Sequence, residues 1–197
     1  MKTELRRRLL EMVEEDGRVR AELAAAGELF QGYARRMAEV HERNARELAG
    51  MIERHGWIGK SLVGADGAEA AWLILQHAIG DPALQRKCLP LLKEAVARGD
   101  VPPAHAAYLE DRICFFERRP QRYGTQFDWD EGGRMSPWAL KDPERVDEHR
   151  RAVGLPPLAE HLGQARKAAE GEGERKPADL KKRREEMLQW AKSVGWL

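Results

Sequence analysis

The sequence predicts a mainly α fold, a compact helical domain with one small antiparallel β-hairpin and a C-terminal amphipathic helix. Three observations carry this. Apolar residues recur every three or four positions through most of the first 116 residues, the period of a helix with one buried face. Ala, Glu, Arg and Leu dominate the composition, and all are good helix formers. After Pro120 the pattern changes to the alternating aromatic and β-branched residues of a strand.

Leu5, Leu9, Met12 and Val13 stand at helical spacing among Arg and Glu, predicting a first helix over about residues 3–15. Asp16-Gly17 ends or loosens it, although Val19 and Leu23 keep the period. The second helix has the clearest stripe: Phe30, Tyr33, Met37, Val40, Asn44, Leu48, Met51 and His55. Asn44 and His55 are its polar members, and an Asn on such a face commonly fixes register through a core hydrogen bond. Gly56-Trp57-Ile58-Gly59-Lys60-Ser61-Leu62-Val63-Gly64 is a glycine-punctuated connection, with Trp57 closing the edge of the core. Gly59-Lys60-Ser61 has the look of a phosphate-binding loop. Arg54 stands where the first glycine of that pattern belongs, however, and no strand precedes it, so the segment does not read as one. Asp66, with Glu69 in the capping-box position, starts a helix to His77 or Ala78. Asp81-Pro82 starts another, through Leu84, Cys88, Leu91, Leu92 and Val96 to Arg98-Gly99, and Pro102-Pro103 opens a fifth.

Gln121-Arg122-Tyr123-Gly124-Thr125-Gln126-Phe127-Asp128-Trp129 alternates and leads into Asp130-Glu131-Gly132-Gly133, so the hairpin lies near residues 121–140, with Pro137 marking its second strand as an edge. A lone hairpin is marginal and must pack on the helices. Asp142-Pro143 starts a short helix to Ala152, followed by a Gly154-Leu155-Pro156-Pro157 turn. The expected organisation is a helical domain over residues 1–163, a charged linker over 164–176, and a last helix within 177–197 carrying Leu180, Met187, Leu188 and Trp190.

A chain of 197 residues suits one domain with a substantial core. Net charge is +1, which gives no global field of the kind that marks nucleic-acid or membrane binders. Cys88 and Cys114 sit in apolar helical surroundings, as reduced thiols do, and not in a disulfide framework. The N-terminus has no apolar leader core, and no apolar run approaches the ~20 residues of a membrane span. The expectation is a cytoplasmic protein.

Five segments, GWIGKSLVG, AAWLILQHAIGDPALQ, AAYLEDRI, PQRYGTQFDW and VGLPPL, together resemble a family of uncharacterised bacterial proteins of unknown function over most of residues 9–160. That family tends to begin with an acidic residue followed by Gln and, a few residues on, Arg. Asp16 and Arg20 fit the pattern, while Gly17 replaces the Gln. The resemblance implies which residues matter and assigns them no activity.

The candidate site residues are polar groups set in core-forming sequence, where an unsatisfied group costs about 1–3 kcal/mol. His77, following Gln76 at the end of an apolar helix, is the candidate acid/base, since an imidazole titrates near neutral pH. Asp111 is the orienting carboxylate. Arg112 or Arg150 is the anion clamp, and Gln76, Tyr123, Gln126 and Asn44 position the substrate. Each also has a structural reading, a satisfied core residue that knits helix to hairpin. For a metal, His77, His105, Asp111 and His149 are the nearest candidates, with His41 and His55 further off. None stands at a ligand spacing such as HExxH, so no metal is assigned and any site would need tertiary convergence. The cofactor stays unknown.

The expected function is therefore a small enzyme, of hydrolase, lyase or isomerase type, or a ligand-binding protein for a polar anionic metabolite or modified peptide. The alternative is a non-catalytic interaction module working through the amphipathic C-terminal helix, which could also join two copies of the chain. Lys181-Lys182-Arg183-Arg184 is offset by Asp179, Glu185 and Glu186, so it lacks the sustained basic footprint of a nucleic-acid binder.

Overall fold

A computed structural model describes residues 1–28, 32–174 and 176–197. Helices account for most of it, with one two-stranded antiparallel sheet and a helix near the C-terminus. The chain divides into two units, Met1–Pro102 and Pro103–Leu197.

In the first unit, α1 (Thr3–Ala25) runs through Asp16-Gly17 and buries Leu9, Met12, Asp16, Val19 and Leu23 along one stripe. α2 (Arg35–His55) buries Met37, Val40, Asn44, Ala45, Leu48, Met51 and Ile52, and Gly56 ends it at φ 71°. Phe30, the first member of the stripe read from the sequence, lies outside the described residues. α3 (Lys60–His77) breaks at Gly64, whose φ of 80° a residue with a side chain rarely adopts, then buries Ala70, Ala71, Ile74, Leu75 and Gln76. α1 packs on α3, and α2 lies against both. α4 (Pro82–Ala97) starts as expected: Asp81 Oδ1 accepts from the Leu84 amide at 2.9 Å, with Pro82 in the first turn. Gln85 Nε2 donates to the Leu75 carbonyl at 2.8 Å and ties α4 to the end of α3. Trp57 and Ile58 are buried, as the sequence predicts for that connection.

The Gly59-Lys60-Ser61 segment is accounted for by Asp100. Its carboxylate accepts from the Ser61 amide (2.7 Å) and hydroxyl (2.9 Å) at the start of α3. A Cβ on Gly59 would lie 2.0 Å from Asp100 Oδ2, so only glycine lets that carboxylate approach.

In the second unit, α5 (Pro103–Phe116) leads through a turn to β1 (Phe127–Trp129) and β2 (Met135–Pro137), paired antiparallel in the register Phe127–Pro137, Asp128–Ser136, Trp129–Met135. The hairpin falls within 121–140, yet of residues 121–126, read as alternating strand, Gln121 alone is paired, in an isolated bridge with Leu140, and 122–126 bend irregularly. A 3₁₀ turn (Pro143–Arg145), α6 (Val146–Ala152), α7 (Leu158–Gly171) and α8 (Leu180–Val194) follow. Residues 164–171, expected in a charged linker, are helical instead, because Ala165, Ala168 and Ala169 favour helix and Ala169 is buried. α8 starts on Asp179, whose side chain accepts from the Lys182 amide. Trp196 stacks on Phe116 at 5.1 Å between ring centres, and Trp190 meets the same ring at 5.5 Å. Both cysteines are free and buried, and burial pushes the Cys88 thiol up to about 12. Among the described residues no helix is long and apolar enough to cross a membrane.

Candidate functional site

The site is built in the first unit by three helices, each contributing one side chain. Asp16 occupies a core position in the middle of α1, His41 lies one turn along α2 from Met37, and His77 is the last residue of α3. His77 Nδ1 lies 2.8 Å from Asp16 Oδ2, and His41 Nε2 lies 3.2 Å from the same oxygen. The two imidazoles face each other with centres 4.8 Å apart, tilted by 36°. Burial would raise the Asp16 carboxyl, but its contacts with His41 and His77 outweigh that and hold it well below the ordinary carboxylate value. It is thus a carboxylate, and the His77 Nδ1–H donates to it.

On its other side, His41 Nδ1 lies 2.7 Å from the Tyr33 hydroxyl. Burial, with Glu42 and Asp16 nearby, pushes the Tyr33 phenol above its ordinary value, so it remains an O–H. His41 Nε2 is shut off from solvent and has no hydrogen bond of good geometry, its 3.2 Å approach to Asp16 being off line. Beside this cluster lies a cavity of about 220 Å³, lined by His41, Glu42, Ala45, Arg46, Ala78, Gly80 and Asp81. His41 belongs to both cluster and cavity. His77 is partly exposed, its side chain at 29%.

Of the residues the sequence nominates, His77 and Gln76 lie in this unit, with Gln76 buried on α3. Asn44 is buried on α2; its Nδ2 reaches the Met12 carbonyl at 3.4 Å and its Oδ1 has no hydrogen-bond partner. The remainder lie in the second unit, where the structure brings most of them together around one turn. Asp111 accepts from the amides of Arg122 (2.8 Å), Tyr123 (3.1 Å) and Thr125 (2.9 Å), and from the Thr125 hydroxyl (3.1 Å). Arg150, fully buried, donates to the carbonyls of Pro156 (2.6 Å), Tyr123 (2.6 Å) and Gly124 (3.3 Å). Gln126 Nε2 donates to Thr125 Oγ1, and its backbone is tied to the Gln121 side chain. Burial lowers the Arg112 guanidinium to about 10, which leaves it charged at neutral pH. Asp111, Arg150 and Gln121 thus hold protein backbone in the structure.

Among the described residues, Asp16, His41 and His77 form a group of three whose ligand-type atoms lie within 4.8 Å of one another. Of the metal candidates read from the sequence, His77 and the more distant His41 belong to it. His105, Asp111 and His149 all lie in the second unit, where burial lowers His105 to about 4. In the sequence Asp16 stands out as a helix-loosening residue and through the family pattern, and an acidic residue in register with Leu9, Met12, Val19 and Leu23 is itself a signal. His41 is named in the sequence only as a more distant metal candidate, since nothing in its spacing ties it to His77.

The sequence model of a family of unknown function, DUF6624, matches residues 3–171. No curated protein and no solved structure matches the chain.

Proposed function

We propose that this chain, which belongs to the family of unknown function DUF6624, is a small enzyme or ligand-binding protein for a polar, anion-bearing small molecule held beside Asp16, His41 and His77. One observation carries the reading. Two imidazoles and a carboxylate, drawn from three helices, meet at one point on the edge of a cavity. Convergence of reactive groups on a concave surface is the arrangement that binding and catalysis require.

The cavity lining indicates the kind of ligand. Arg46 makes no ion pair among the described residues and can take a carboxylate or phosphate in two parallel hydrogen bonds. Glu42 and Asp81 add acceptors for hydroxyl or amino groups, although one Asp81 oxygen already caps α4. At about 220 Å³ the space is below the ~300–1,000 Å³ of drug-sized sites, which suits a metabolite.

The alternative, an interaction module acting through the C-terminal helix, has less support. Trp190 and Trp196 are engaged with Phe116, and among the described residues the exposed large hydrophobics are Met1 and Leu197. A docking helix would leave an apolar face uncovered.

Thermal unfolding against a panel of small carboxylates, phosphates and phosphorylated peptides tests the proposal. A true ligand at a hundredfold excess over Kd adds about 2.7 kcal/mol and should raise Tm by roughly 5–10 °C. Arg46→Ala and His77→Ala should lose the shift. If no member of the panel moves the wild type, or both variants respond like the wild type, the ligand does not bind here.

A further inference from the structure

We infer that Asp16 Oδ2, His41 Nε2 and His77 Nδ1 together bind one divalent first-row transition-metal ion. The inference rests on the reading that this cluster is the functional site, and it supplies that site with an ion.

The donor set comes first. Two imidazole nitrogens and one carboxylate oxygen suit zinc, iron(II), cobalt(II) or nickel(II). They do not suit calcium or magnesium, which take oxygen ligands. Spacing agrees. Ligand atoms about 2.0–2.1 Å from a tetrahedral ion stand roughly 3.3 Å from one another. Here the two nitrogens are 2.8 and 3.2 Å from the shared oxygen, and all three atoms lie within 4.8 Å. The N–O distances already match, and the two nitrogens, as much as 4.8 Å apart, would close by about an ångström through side-chain rotation to share an ion.

The hydrogen bonding gives an independent reason. A buried nitrogen without a well-aligned partner carries a cost of about 1–3 kcal/mol, and His41 Nε2 is such a nitrogen, 3.2 Å from the Asp16 oxygen but out of line with it. An ion between them would accept its lone pair and would take the place of the His77 Nδ1 proton, that imidazole passing to its other neutral tautomer. The opposite nitrogen lies 2.7 Å from the Tyr33 hydroxyl, the kind of partner that metal-bound histidines usually have; in the tautomer whose Nδ1–H donates to that hydroxyl, the lone pair is on Nε2. Three helices thus deliver three donors to a single point.

Three protein ligands leave a further coordination position, as in catalytic and not structural zinc sites. His41 also lines the cavity, which puts the cluster beside the space where Arg46 would hold an anion. An ion there would act as a Lewis acid on a ligand carbonyl or phosphoryl oxygen.

The test uses the full chain after chelator treatment, titrated with zinc chloride by calorimetry, and separately with cobalt(II) chloride followed by visible absorption. The expected result is one ion per chain, with the absorption bands of a four- or five-coordinate cobalt centre. His41→Ala, His77→Ala and Asp16→Asn should abolish stoichiometric binding. Tyr33→Phe should weaken it by about tenfold, the effect of losing an outer-shell partner. Circular dichroism shows whether each variant has folded, and the cobalt spectrum of the unaltered chain needs no variant at all. Absence of stoichiometric binding by the wild type, or retention of it by folded His41→Ala and His77→Ala, overturns the inference. A small anion that stabilises the metal-free chain would then keep the cavity reading alive. Zinc binding without any small-molecule effect would uphold the metal and remove the cavity ligand.

Discussion

Asp111 and Arg150 grip the same turn through opposite ends of its peptide groups. The carboxylate takes the amides of residues 122, 123 and 125, and the guanidinium takes the carbonyls of 123 and 124. Backbone that neither helix nor sheet pairs must find other partners when buried, and these two side chains provide them. Asp111→Asn places an amide donor against amide donors. It should cost about 2–4 kcal/mol and speed hydrogen exchange at residues 122–125. Unchanged protection of that peptide would mean the carboxylate does not hold the turn.

Within the same turn, Gly124 has φ 65°, and a Cβ there would lie 2.9 Å from Leu158 Cδ1 and 3.2 Å from Leu140 Cδ2. Gly154 shares the backbone strain at φ 74° but has open space around it. Gly154→Ala should therefore cost about 1 kcal/mol and Gly124→Ala roughly 2–3 kcal/mol or more. Paired denaturant melts of the two variants check the difference, and equal losses would show that the contact with Leu158 is unimportant.

His105 should make the protein weaker in mild acid. Burial lowers its folded value to about 4 from an ordinary 6.5, so as pH falls the unfolded chain takes up the proton first. Its contribution is complete above about pH 6.5 and is lost as pH drops to about 4, on the order of 3 kcal/mol over that span. The stability difference between wild type and His105→Gln should change across this interval and be flat above it. Parallel curves from pH 7 to 4 would contradict the assignment.

Asn44→Leu separates a structural residue from a binding one. Asn44 is 2% exposed, its amide makes one long hydrogen bond, and its oxygen makes none. Replacement by an apolar group of similar volume should be neutral or stabilising by about 1 kcal/mol, with ligand-induced Tm shifts retained. Loss of those shifts in a folded variant would return Asn44 to the site.

Much of the fold can be read in the residues themselves. α2 is legible because its apolar period is unbroken from Met37 to Ile52, and α4 because Asp81-Pro82 announces its first turn. The Tyr-Gly-Thr-Gln segment is not, since its alternation mimics a strand while its shape depends on Asp111 and Arg150, 11 to 27 residues away. α7 was hidden by charge, because a helix that buries little has almost no apolar period to detect. The site is harder still. His77 stands out as a polar residue closing an apolar helix, but its partner Asp16 is 61 residues distant. No spacing rule spans that separation, and packing of three helices is what brings the donors together.

One arrangement at the start of α3 bears on how such chains are classified. Gly59-Lys60-Ser61 opens a helix as a nucleotide-binding turn does, with the Ser61 amide and hydroxyl as donors in its first turn. The chain fills that seat itself. A carboxylate 39 residues downstream occupies it through the same donors a phosphate oxygen would use, and Gly59 is the clearance that admits it. Asp100 is in effect a tethered pseudo-ligand, and a pattern search that stops at the tripeptide would file this protein among the nucleotide binders.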